Sequence, residues 1–134
     1  MTLRRLARDR RGNVALEFGV VLPLVLMLLV GIMDVGRMMG DQHALDRGVA
    51  VAARYAIVNS TTATANTITA QFDAAVQPLL GSCGTCTVNV TFSPSYQVGG
   101  TVTVTASYPW TPTVPTLVLS DTTLTSTITL TVQN

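Results

Sequence analysis

The chain has no lysine, a single histidine, a single tryptophan and two cysteines. Charged residues make up 11% of it, against about 25% in an average globular chain. Beyond Arg54 the only charged side chains are Asp73 and Asp121. A basic surface able to track phosphates is therefore excluded from the body, and with it nucleic-acid binding. His43 stands far from Cys83 and Cys86, too few and too scattered for a zinc site. The many Ser and Thr hydroxyls lack a histidine partner, and there is no Gly-rich phosphate loop. Asp73 and Asp121 are the sole carboxylates for a paired-carboxylate hydrolase, and nothing in the sequence brings them together. These scarcities predict a non-catalytic protein with no metal, no cofactor and no small-molecule substrate.

What the chain does have is apolar length. Hydrophobic residues reach 48%, with a mean hydropathy of +0.44. The formal charge of +1 hides an asymmetry: Arg4, Arg5, Arg8, Arg10 and Arg11 face only Asp9, so the rest of the chain is net acidic. Phe18 to Met33 carries no charge, and Asn13 to Met33 carries only Glu17. As a helix, the longer stretch spans about 31 Å, close to the ~30 Å thickness of a bilayer's hydrocarbon core. A cleaved secretory peptide would be shorter and followed by a small-residue cleavage site, which Asp34-Val35-Gly36-Arg37 does not offer. The reading is an uncleaved anchor, or one trimmed on its cytoplasmic side. Pro23 predicts a kink within it. The Arg cluster predicts a cytoplasmic N-terminus in the inner membrane, with everything beyond the span in the periplasmic or extracellular space. An ionised Glu17 within the bilayer costs roughly 2.5–3.5 kcal/mol, so its presence calls for a use.

Residues 34–57 continue with helical periodicity, apolar side chains recurring at three- and four-residue steps. Gly36, Gly40, Ala44, Gly48, Ala52 and Ala56 form a row of small residues at spacing four. Such rows let helix backbones approach closely. The row winds around the axis, and it either lines a groove for a partner helix or seats this helix on its own domain.

Asn59 to Thr67 reads as a loop, followed by a helix capped by Asn66 or Thr67, with Ile68, Phe72, Val76 and Leu79/Leu80 on one face. Pro78 and then Gly81 are predicted to stop it. From Cys83 onward, Thr alternates with Val, Leu, Ile and Phe in three runs, around residues 87–92, 101–106 and 124–132. That is the signature of strands. Pro94-Ser95 with Gly99-Gly100 marks one connection, and Pro109, Pro112 and Pro115 around Trp110 predict an irregular second one. The fold class is α+β. A long N-terminal transmembrane helix continues into a small external domain, which has a second helix and an antiparallel sheet of about three strands. The organisation is a cytoplasmic leader over 1–12, a span over 13–33, a helix extension over 34–57 and the external domain over 58–134. Cys83-Gly84-Thr85-Cys86, in an oxidising location between helix and strand, reads as a structural disulfide closing a tight turn.

Arg10-Arg11-Gly12 followed by Asn13-Val14-Ala15-Leu16-Glu17-Phe18 resembles the start of a type IV prepilin. The wider segment, with Gly31-Ile32-Met33-Asp34-Val35-Gly36-Arg37, Gln42-His43-Ala44-Leu45 and Ala52-Ala53-Arg54-Tyr55-Ala56, is similar to TadE/TadF-like pseudopilins of tight-adherence (Flp) pilus systems. The resemblance covers about residues 10–57. It implies that a prepilin peptidase cuts between Gly12 and Asn13. It also implies that Glu17, with Phe18 beside it, serves assembly by pairing with the new α-amino group of a neighbouring subunit. Partners would be other pilus or pseudopilin subunits and the assembly platform. The external domain is larger than a major Flp pilin has, which implies the minor, pseudopilin branch. Two rivals remain: a bitopic protein with an external partner-binding domain, and an anchored thiol oxidoreductase using Cys83 and Cys86.

Overall fold

The computed structural model describes residues 10–81, 83–94, 98–113 and 119–133, with side chains from Val14 onward. Most of the Arg cluster, Ser95 and Pro115 lie outside the described residues. Two helices and three strands follow in chain order: α1 (Arg10–Val58), α2 (Ala65–Leu80), β1 (Thr87–Ser93), β2 (Thr101–Trp110) and β3 (Thr122–Thr131). The architecture is α+β, with a long N-terminal apolar helix and a three-stranded antiparallel sheet in the order β1-β2-β3.

Helix α1 runs for 49 residues, about 73 Å, and passes through Pro23 without ending. Its first half is apolar on every side and lies bare. Leu16, Val20 and Leu24 are each at least two-thirds exposed. Its second half turns one apolar stripe inward, where Leu45, Val49, Ala52, Ala53 and Ala56 are almost completely buried. Helix α2 and strands β2 and β3 cover that stripe, while β1 meets α2.

Helix α2 begins earlier than its sequence predicts. Its cap is Thr64, whose Oγ1 accepts from the Thr67 backbone N–H at 3.3 Å, while Thr67 Oγ1 accepts from the Thr64 N–H at 2.8 Å. Threonine at both ends of this reciprocal box takes the place of the usual Glu or Gln at the third position. Pro78 does not stop the helix, which continues to Leu80 and ends at Gly81 with φ 69°. The hydrogen bond that Pro78 gives up would have gone to Ala74, on an exposed side where water can reach that carbonyl. Ile68, Phe72 and Val76 are fully buried, but Leu79 is exposed and Leu80 only half-buried.

The predicted irregular stretch at Pro109-Trp110 is the end of β2, paired with Thr123 and Thr122 of β3. Antiparallel alternation explains why proline is tolerated there. Val132 N–H donates to Gly100 O at 2.8 Å, so even-numbered residues of β2 turn their backbone groups to β3 and odd-numbered ones to β1. Strand β1 pairs only as far as Ser107, so the missing N–H of Pro109 faces no strand. Trp110 is 1% exposed, and its indole nitrogen has no hydrogen-bond partner among the described residues. Inner-face Val102, Val104 and Ala106 complete the core, and the outer face of the sheet is Thr, Ser, Asn and Pro throughout.

Candidate functional site: the anchor helix and its junction with the domain

The N-terminal candidates sit on the bare half of α1. The Gly12–Asn13 bond lies within α1, near the start of the described residues. The side chains of Gly12 and Asn13 are outside the described residues. Glu17 is exposed one turn further on, beside Phe18, itself 64% exposed. Leu16, Val20 and Val21 flank Glu17 in a shallow apolar groove.

The row of small residues divides in two. Ala44, Gly48, Ala52 and Ala56 are buried within the molecule's own core. At Gly48 an added Cβ would overlap Val76 Cγ2 and lie 2.8 Å from Phe72 Cε2. The glycine lets α2 approach α1, and here the row serves self-packing. Gly36 and Gly40 differ: among the described residues, nothing stands within 4 Å of a Cβ built on either.

The junction is fixed by a residue that sequence reasoning left as one letter of a motif. Asp34 follows the apolar run immediately, yet it is 2% exposed. Thr113, just past the end of β2, donates to it three times: N–H to Oδ1 at 3.1 Å, N–H to Oδ2 at 3.2 Å and Oγ1–H to Oδ1 at 2.6 Å. Arg37, one turn along, donates from Nη1 to Thr113 Oγ1 at 2.6 Å and lies 3.6 Å from Asp34 Oδ1. Buried charge is stable only when paired and hydrogen-bonded, and Asp34 meets both conditions. The clasp ties the β2–β3 connection to the helix where the apolar run ends. An Asp-x-x-Arg step directly after a hydrophobic segment was the available signal. Its partner, 79 residues away, left no trace in the local pattern.

The remaining candidates are dispersed. Cys83 and Cys86 form a disulfide, and Cys86 N–H donates to Cys83 O at 3.0 Å to close the turn. Asp73 lies on the exposed side of α2 and borders an open depression of about 500 Å³ with Gln77, Cys83 and Gly84. Asp121 is exposed before β3, and His43 is exposed on α1. Among the described residues, no three His, Cys, Asp or Glu side chains converge as metal ligands would.

Comparison with known families falls on the same stretch that carries the anchor and the clasp. A family model described as TadE-like protein matches residues 12–54. Residues 12–54, about a third of the chain, are TadE-like. That match begins at Gly12, takes in Glu17, Asp34 and the small-residue row as far as Ala52, and ends at Arg54, one turn before the end of α1. It associates the chain with pilin-like proteins of tight-adherence pilus systems. No curated protein and no solved structure shows significant similarity to the chain. The TadE-like segment is thus the long helix alone, and the α2–sheet unit lies beyond the matched residues.

Proposed function

We propose that this TadE-like chain is a minor pilin or pseudopilin, a non-catalytic structural subunit in the assembly of tight-adherence pili. It inserts with its Arg-rich N-terminus in the cytoplasm, and a prepilin peptidase trims it between Gly12 and Asn13. The observation that carries this reading is the TadE-like match running through the bare half of α1, with Glu17 at its start. A helix left apolar on all sides by its own domain is suited to lipid first and to neighbouring helices later. Glu17 then supplies register. Burying an unpaired carboxylate or an unpaired α-amino group is costly, so pairing the two between subunits selects one axial stagger. The external domain stays outside the membrane, available to other subunits and to the assembly platform.

The test is the N-terminal residue and intact mass of the protein recovered from native membranes. The wild type is expected to begin at Asn13, and Gly12→Ala to keep Met1. Glu17→Ala is expected to be cut normally and to fail in piliation. A wild-type chain that keeps residues 1–12 in cells with an active peptidase would overturn the reading and leave an anchored partner-binding protein.

A further inference from the structure

Two contacts fix the direction of the sheet relative to the anchor. Asp34 meets Thr113 at the end of β2, and Gln42 Nε2 donates to Thr125 O, three residues into β3, at 3.3 Å. The step from 34 to 42 climbs about 12 Å along α1. Strand β3 therefore climbs away from the span, β2 descends towards it, and β1 climbs again.

Among the described residues, no strand pairs with the outer side of β1 or of β3. The alternation set by Val132 and Gly100 turns the backbone groups of Thr123, Thr125, Thr127, Thr129 and Thr131 to the free side of β3. From the rest of the molecule, Gln42 of α1 reaches that side with its hydrogen bond to Thr125 O. Strand β3 is ten residues long and has neither a charge nor a proline, the devices that keep edges from pairing. On β1 the same alternation turns Val88 and Val90 outward, again without charge. Both edges also carry unfinished apolar rows on the inner face. Ile128 and Leu130 of β3 and Val88 and Val90 of β1 are each only half-buried.

We propose that the free edge of β3 receives β1 of a second copy of this chain in parallel register, so that neighbouring subunits extend one sheet. The proposal rests on the shared membrane orientation argued above. Copies with parallel anchors keep their strand directions, so a two-fold axis along the membrane normal cannot set β3 antiparallel to another β3. Strands β3 and β1 already run the same way. In a parallel pair, a residue whose backbone faces the partner sits beside one whose backbone faces away, with both side chains on one face. Thr127 then lies beside Asn89 or Thr91 of the second copy, and the hydroxyl face continues unbroken. On the other face, the Asn89 register sets Ile128 beside the second copy's Val90 and Leu130 beside its Phe92, and the Thr91 register sets Ile128 beside Phe92. The contact is head-to-tail and uses different surfaces on each copy, so it propagates as an open array or a ring and does not stop at a dimer. Anchoring in one membrane raises the effective concentration that such a contact needs.

Two differently tagged full-length copies co-expressed in native membranes test this. One carries Thr127→Cys, the other Thr91→Cys or Asn89→Cys, and mild oxidation reports proximity at ~4.8 Å strand spacing. A mixed dimer in at least one register is expected, with a ladder of higher oligomers when Thr91→Cys and Thr127→Cys share a chain. The proposal is overturned by dimers from Thr127→Cys alone, or by a mixed dimer no stronger than that from Ser107→Cys on the central strand. Thr129→Lys is expected to remove the ladder, and so is Thr129→Pro, whose missing N–H points away from β2. Protease resistance of the domain should persist in at least one of them, and a ladder surviving in that folded variant counts against the edge. A chain that is processed and needed for piliation but yields no ladder sinks the strand contact alone. A ladder from an unprocessed chain keeps the contact and sinks the pilin reading.

Discussion

The two halves of α1 both carry apolar side chains and do opposite things with them. From Val14 to Met33 nearly every side chain is exposed, whereas from Ala44 to Ala56 the apolar stripe is closed over by α2 and the sheet. Burying a large apolar side chain is worth about 1.5–3 kcal/mol, so the first half forgoes a large stabilisation unless lipid or a neighbour provides it. Charge already separates the two, with Glu17 alone between Val14 and Met33 against Asp34, Arg37, Asp41, Asp46, Arg47 and Arg54 beyond it. Residue size separates them again: the first half is Leu-, Val- and Met-rich, while the second narrows to Ala and Gly where other elements must come close.

Truncation should separate the halves most sharply. Leu45→Ala is expected to cost about 2–5 kcal/mol in thermal or denaturant unfolding of the full chain in detergent. Leu24→Ala should leave that transition unmoved, because Leu24 is 69% exposed. Next comes Gly48→Ala, which forces a methyl into Val76 and Phe72 and should cost about 3 kcal/mol by overpacking. Asp34→Ala breaks the clasp where the halves meet. A loss of about 2 kcal/mol is expected, together with faster proteolysis between Thr111 and Asp121, while Asp34→Asn keeps one acceptor and loses less. Removal of the Cys83–Cys86 bridge by Cys83→Ser closes no long loop and should cost about 2 kcal/mol at most. Disulfide-exchange activity lost in that variant would instead revive an oxidoreductase role. The smallest effect has the opposite sign. Gly40→Ala faces open space and should stabilise the helix by about 0.5–1 kcal/mol. If piliation falls in that variant while stability rises, Gly40 seats a partner helix.

Much of this comparison was legible in the sequence, because both patterns involved are local. The uncharged run from Phe18 to Met33 and the Thr-apolar alternation of the strands each follow from neighbours in the chain. Features that needed distant partners were not legible. Thr64 became the cap because Thr67 could answer it, in place of the acidic residue a capping box usually shows. Pro109 was read as a strand breaker because the sequence does not reveal that β1 ends before reaching it. The row of small residues held two roles under one spacing. Only the position of Phe72 and Val76 distinguishes Gly48 from Gly40.

The clasp between Asp34 and Thr113 also governs azimuth. A domain on a loose stalk could adopt any bearing around its anchor, but α1 runs unbroken from the apolar stretch into the core, and three hydrogen bonds brace the junction. The side of the anchor that meets a neighbour in the lipid and the sheet edge that meets one above it therefore hold one angle to each other. A chain built this way carries its own protractor, with the angle between helix and sheet set inside its own fold.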